Sequence, residues 1–446
     1  MCASAFLLLT SALAAGPIEA GTQLTYRGAM IAEKGDPVLT RKNFELQLTV
    51  VEFGDAGAEL LWTLSEEGRG GWAWPDRFGR LQLDANLRAE GDRGPSLLYE
   101  RPEGLSIVNL LAPLVAAEAP LKKGFEWRVD RLLHKVEDSA SKKDIAAWRV
   151  TAGTLYGVKR TLWIDKQSPR VVAMHENVTI GQGERHDLEM ELVSEKTLTD
   201  DELRKVDRAF TEMEALRDKL EQPPRTPRVV WSEEQIALLR DKLEPIVALA
   251  ADTPLAAVAA DAAGDAKDQK NRANAVGALA KRIIGQPAPA FELSTLDRKT
   301  VDSADLKGKV VVLHFWEYRD TPLEEPYGQV GYLDFLHRRH AADKVAVFGV
   351  NVDERLAAEF TRGKSIAAAK KLKSFMNLGF PVLLDDGALL KQFGDPRVTG
   401  AKLPVFVVIG ADGAVTHYHV GFYDVDRDAG LKELEQAVTA AAETSE

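Results

Sequence analysis

The chain has 446 residues, enough for two or three domains, with 68 acidic against 57 basic side chains and a formal net charge of −11. That charge argues against nucleic acid or an anionic membrane as the main partner. Apolar and charged fractions of 45% and 28% exclude a disordered or fibrous chain, and a single cysteine, Cys2, excludes a disulfide framework.

The chain opens with an apolar run from Ala5 to Leu13 followed by small residues. Ala12-Leu13-Ala14 fits the small-x-small pattern of a secretory cleavage site, so residues 1–20 are expected to be a signal peptide cut near residue 14 or near Ala20. The run is too short to span a bilayer. No later stretch is long enough either, and we expect an exported protein, periplasmic or extracellular.

Residues 22–198 predict an antiparallel, curved β-sheet domain. Phe44-Glu45-Leu46-Gln47-Leu48-Thr49-Val50 alternates apolar and polar side chains, the pattern of a half-buried strand. Leu60–Leu64, Arg80–Ala85, Trp148–Ala152, Thr161–Ile164, Val171–His175 and Leu188–Val193 continue the series. Asp165 to Pro169 supplies turn residues between two of these strands. Leu105–Ala117 is the one helix expected here. The segment Leu162 to Val172, Leu-Trp-Ile-Asp-Lys-Gln-Ser-Pro-Arg-Val-Val, resembles a hairpin of the half-barrel lipoprotein carriers. That resemblance implies an apolar ligand on a concave face; the alternative is that Trp127, Trp148, Leu162 and Trp163 fill a core.

Residues 199–283 predict a helical connector. Thr199 with Glu202 makes a capping box ahead of Leu203, Val206, Phe210 and Met213 at helical spacing. Prolines 223, 224 and 227 end that helix. Ser232 with Gln235 caps a second, whose buried stripe is Ile236, Leu239, Leu243 and Ile246. The Ala-rich residues 255–284 continue as helix, with a break expected near Gly264.

Residues 284–442 alternate continuous apolar runs with amphipathic helices, which predicts an α/β domain whose central sheet is covered on both faces. The ordered set is Gly285-x-x-Ala288-Pro289-x-Phe291, Leu306-Lys307-Gly308-Lys309, Val310 to Trp316, Val350-x-Val352-Asp353, Phe380-Pro381, and Leu403-Pro404 before a strand ending at Asp412-Gly413. It resembles the redoxin superfamily, the exported thioredoxin-like proteins of the TlpA/ResA type, with the AhpC/TSA peroxiredoxins as relatives. The resemblance implies a thioredoxin-like fold with Pro404 as its cis-proline. The whole chain is therefore expected to be an α+β multidomain protein: β-sheet domain, helical connector and thioredoxin-like domain.

The family's redox motif is missing. Its two cysteines would stand at the start of a helix, where the helix dipole lowers the thiol pKa. One register maps them onto Asp320 and Leu323, with Thr321 and Pro322 between, and no register recovers a cysteine. Asp320-Thr321-Pro322 reads instead as a helix cap, with Glu324 and Glu325 in the first turn. The acidic cluster Glu317, Asp320, Glu324 and Glu325 reads as dipole complementation rather than acid–base chemistry. His417 and His419 stand two apart and share a strand face, as a metal pair could. Only Asp424 and Asp426 follow nearby as further ligands, and no metal or cofactor is expected.

These residues do not support thiol-based oxidoreductase activity. The favoured function is a non-redox binding or structural module that holds a peptide or protein partner at the Pro404 corner. The alternatives are an oxidoreductase, as family membership alone would suggest, and a carrier of an apolar ligand in the β domain.

Overall fold

The computed structural model of the chain describes residues 17–443 apart from 33–40, 69, 92, 102–103, 118, 182, 228, 319–328, 341–344 and 428. It divides into two compact units, residues 1–269 and 270–446. Among the described residues no helix is long and apolar enough to cross a membrane, which leaves β-barrel spans untouched.

The first unit is built on strands β1 (Thr22–Ala32), β2 (Arg41–Gly54), β3 (Gly57–Glu66), β4 (Phe78–Leu83) and β5 (Ala89–Glu90). A separate hairpin follows, β6 (Ser96–Arg101) and β7 (Gly104–Asn109). Then come β8 (Glu126–Val129), β9 (Leu132–Lys142), β10 (Ile145–Thr154), β11 (Gly157–Asp165), β12 (Val171–Ile180) and β13 (Glu184–Thr197). Eleven of these strands form one antiparallel sheet in the order β5-β4-β3-β2-β1-β13-β12-β11-β10-β9-β8. The chain meanders to one edge, jumps to the other, and returns until β13 pairs with β1.

Alternation decides the faces. In β1, Leu24, Tyr26 and Met30 point inward, and in β2 Phe44, Leu46, Leu48 and Val50 do the same. Leu81 near one edge and Trp127 near the other enter the same core, as do Leu97, Tyr99 and Val108 of the hairpin. The sheet therefore wraps around a shared interior, which its own side chains fill; Trp127 and Leu162 are buried in it and Trp148 packs against it. The opposite face carries an open groove of about 670 Å³ lined by Arg27, Arg41, Glu45, Glu67, Glu189 and Glu191 among others, which is polar rather than apolar.

Two expectations are corrected here. Residues Leu105–Ala117 are not a helix: 104–109 form β7 and the rest is irregular. Val108 is buried while Leu105 and Ile107 are exposed, a period-two pattern, and Pro113 would break a helix interior. The Ala-rich segment is also unbroken, running from Ala256 to Ile283 through Gly264. A glycine there costs about 1 kcal/mol relative to alanine. Ala259, Ala262 and Ala266, buried on either side of it, supply packing that holds the helix together.

Helices α1 (Asp200–Lys219), α2 (Glu233–Ala250) and the first turns of α3 (Ala256–Ile283) share a second core with Leu61, Trp74 and Phe78. Both expected capping boxes form, at Thr199 with Glu202 and at Ser232 with Gln235. Strand β3 is therefore covered on both faces: Leu60, Trp62 and Leu64 look into the sheet's interior and Leu61 looks toward the helices.

The second unit contains the hairpin β14 (Glu292–Ser294) and β15 (Thr300–Asp302), then β16 (Val310–Trp316), α4 (Val330–Arg339), β17 (Val345–Val352) and α5 (Glu359–Phe375). It continues with β18 (Val382–Asp385), α6 (Ala388–Phe393), β19 (Val405–Ile409), β20 (Val415–Val420) and α7 (Lys432–Glu443). The five-stranded sheet has the order β18-β17-β16-β19-β20. Strands β18, β17 and β16 pair parallel; β19 and β20 add antiparallel neighbours. Separate cores lie on its two faces, one with α4, α5 and α7, the other with α6 and the end of α3. This is a thioredoxin-like arrangement, and the continuous apolar runs of the sequence follow from two-sided burial.

A test of the β-sheet interior follows from Gly28. A Cβ at this position would lie 2.2 Å from Phe44 Cζ and 2.4 Å from the Glu189 carbonyl oxygen. Gly28→Ala is expected to destabilise the first unit by about 1–3 kcal/mol, the usual range for overpacking, as read by urea unfolding. An unchanged unfolding midpoint would mean that Phe44 is free to move aside.

Candidate functional site

The ends of β16, β19 and β20 meet at one corner of the second unit. Phe315 pairs with Val405 and Val405 with Val420, so Trp316, Pro404 and Gly421 stand together at the same end of the sheet. The Leu403–Pro404 peptide bond is cis, and Pro404 is buried. Its carbonyl accepts a hydrogen bond from Gly421 N at 2.8 Å, which closes the β19–β20 pair. Beside it the rings of Trp316 and Phe422 approach to 5.9 Å. Phe422 is 43% exposed and gives the corner an apolar outer surface.

The mapped positions Asp320, Thr321, Pro322 and Leu323 lie outside the described residues, as do Glu324 and Glu325. The residues flanking that segment are tightly held. On its near side Tyr318 is fully buried, with its hydroxyl 2.8 Å from His314 Nδ1 and its backbone N–H donating to Asn351 Oδ1 at 3.0 Å. Burial raises the Tyr318 pKa well above the ordinary phenol value. Gly349 is the space that makes this possible: a Cβ there would fall 2.1 Å from the Tyr318 hydroxyl oxygen. On the far side Gln329 takes a left-handed backbone and makes a matched pair of bonds with Tyr423. Its Nε2 donates to the Tyr423 carbonyl at 2.7 Å and its Oε1 accepts from Tyr423 N at 3.0 Å.

Asn351 extends the network inward, donating to Ser365 Oγ at 3.3 Å. Ser365 in turn donates to Asp353 at 2.5 Å, and Arg355 forks onto the same carboxylate at 2.7–3.0 Å. Burial disfavours the Asp353 charge, but hydrogen bonds from Arg355 and Ser365 outweigh it and hold the carboxyl down at about 2.

A row of rings crosses the sheet: His314 on β16, Phe406 on β19 and His419 on β20 share one register. His314 and Phe406 are 4.6 Å apart, Phe406 and Tyr423 4.8 Å, and His419 stacks on Tyr423 at 3.8 Å. His417, one row along, lies 2.8 Å from the Tyr423 hydroxyl through Nε2. Burial lowers the pKa of both histidines; His419 adds to this for His417, and at His419 burial outweighs the attraction of Glu433.

His417 and His419 do share a face, but the carboxylate grouped with them is Glu433 in the first turn of α7, not Asp424 or Asp426. Asp426 instead turns its own loop, accepting from Ala429 N. Glu433 was not legible beforehand because fourteen positions of loop and helix start separate it from His419. Nor was the pairing of Gln329 with Tyr423, 94 positions apart. Nothing local marks a glutamine whose partner is a distant backbone.

Asp353 offers a measurable check of this network. Its carboxyl is depressed in the folded protein, so its stabilisation is present above the ordinary carboxylate pKa and is lost as the pH falls toward about 2. Asp353→Asn should therefore melt below the parent at neutral pH, and the gap should close as the pH is lowered from about 4 to about 2. A gap independent of pH would contradict the assigned network.

Comparison with known proteins places this unit among described sequences. The AhpC/TSA family profile matches residues 284–418. The thiol-disulfide oxidoreductase ResA of Bacillus cereus (strain ZK / E33L) is 30% identical over 141 residues, covering 32% of this chain and 72% of the relative. The ResA of Bacillus anthracis is 31% identical over 144 residues, with the same coverages. The thioredoxin-like protein YneN of Bacillus subtilis (strain 168) is 28% identical over 140 residues, 31% of this chain and 71% of that one. Among solved structures, a secreted Mycobacterium tuberculosis disulfide oxidoreductase homologous to E. coli DsbE aligns at 24% identity with a TM-score of 0.26, covering 34% of this chain and 95% of that one.

Proposed function

The chain belongs to the redoxin superfamily through its C-terminal AhpC/TSA-type domain, and from that premise we propose that this domain is a non-redox binding module. It holds an extended peptide or protein segment at the Pro404 corner without reacting with it. One observation carries the reading: residues 284–442 contain no cysteine, the only one in the chain being Cys2. Disulfide exchange proceeds by thiolate attack on a disulfide sulfur, and a peroxidatic mechanism needs the same nucleophile; no other side chain substitutes for it.

What supports binding is the corner itself. The strand ends and Pro404 are held by backbone hydrogen bonds, so the surface is formed before any partner arrives. Trp316 and Phe422 supply aromatic area, the kind of residue that dominates recognition surfaces. The apolar run at Ala5–Leu13 with its Ala12-Leu13-Ala14 sequence supports export, and the proposed place of action is the periplasm or the cell exterior. The division into a β-sheet domain at 22–198, a connector at 199–283 and a redoxin domain at 284–442 is likewise proposed as the functional layout, with the β domain as a separate module.

The reading makes two expectations. Purified protein with dithiothreitol as donor should reduce insulin disulfides no faster than buffer; activity that persists through repurification would overturn the non-redox assignment. In a screen of immobilised unstructured peptides, binders of the parent should bind Phe422→Asp at least about tenfold more weakly, since a charge replaces a ring at the centre of the patch. Equal binding by both proteins would remove the Pro404 corner as the docking surface. Because Phe422 is exposed, the variant should melt with the parent.

A further inference from the structure

We propose that His417, His419 and Glu433 form a binding site for a divalent cation of the zinc class. One ligand atom from each of the three lies within 4.8 Å of the others. The two histidines are i and i+2 on β20, so the strand itself aims both at the same side of the sheet. Their rings are 6° from parallel with centroids 6.3 Å apart. Helix α7 then delivers the carboxylate from its first turn.

The separation between His419 and Glu433 is informative. Nδ1 and Oε1 are 3.7 Å apart, too long for a hydrogen bond. In a tetrahedral zinc site with bonds near 2.0–2.1 Å, neighbouring ligand atoms stand about 3.4 Å apart. The Glu433 side chain is 62% exposed and has the freedom to close the remaining distance. Two imidazoles and one carboxylate, with a fourth position open, is a donor set zinc accepts. Magnesium and calcium ask for six or more oxygen ligands, which this group does not supply.

The surroundings fit a ligand role. Tyr423 bonds one nitrogen of His417 and stacks on His419, fixing both rings as outer partners of metal ligands do. This assignment does not depend on the peptide-binding reading.

The test uses full-length protein without a histidine tag, stripped with EDTA and titrated with zinc chloride against a chromophoric chelator. One zinc per chain is expected, displaced by neither magnesium nor calcium. His419→Ala, His417→Ala and Glu433→Gln should each weaken binding by about tenfold or more. Zinc should also raise the melting temperature of the parent and not that of Glu433→Gln, because a ligand bound only to the folded state stabilises it. Glu433 is exposed, so its variant separates loss of the site from loss of the fold. Absence of saturable binding, or binding that all three substitutions leave unchanged, would overturn the site.

Discussion

Strand β16 gives up its side chains to the interior on both faces, and every hydrogen-bonding group along its edges must be met by a neighbour. β17 satisfies one edge in parallel and β19 the other in antiparallel, and from that pairing the rest of the second unit is placed. Val311, Leu313 and Phe315 require a cover on one side and Val310 and Val312 on the other, which α6 with the end of α3, and α4 with α7, provide. His314 is the exception in the run. It is fully buried, and its pairing with Tyr318 keeps a polar ring tolerable at the centre of the sheet.

The same logic, with different residues, governs the β-sheet unit. Arg170 is completely buried and forms ion pairs with Asp165, at 2.5 Å, and with Glu195. Lys42 and Glu66 are a second pair with almost no exposure, and Glu66 also accepts from the backbone of Trp72 and Leu98. Removing one member of such a pair strands the other in a medium that cannot solvate it, a loss of roughly 3–5 kcal/mol. These groups tie the β6–β7 hairpin and the Asp165–Arg170 turn to the sheet in one register. Apolar packing alone would specify that register less sharply.

At the corner of the second unit, the Leu403–Pro404 bond is cis, while residues 284–442 contain no cysteine. The twin bonds of Gln329 to Tyr423 and the bond from Tyr318 N to Asn351 anchor the residues on either side of positions 319–328. In the proposed binding role these bonds preorganise the surface, and preorganisation lowers the entropic cost of association.

Much of the architecture was legible in the chain because it is written in local patterns. Period-two alternation marked the strands of the β-sheet unit, capping boxes at Thr199 and Ser232 marked two helix starts, and the order from Gly285 to Gly413 marked the thioredoxin-like domain. Local pattern misled at Leu105–Ala117, where an apolar stretch could serve helix or strand until the hairpin partner β6 decided it. It misled again at Gly264, whose local cost is offset by alanines packed against other helices. Which distant residues meet was beyond it altogether. Glu433 joins His417 and His419, and Gln329 joins Tyr423, only because the order of strands in the sheet brings their elements side by side. Sequence determines what each segment prefers to be; the tertiary structure decides which polar groups become neighbours, since that depends on how the buried faces close against one another.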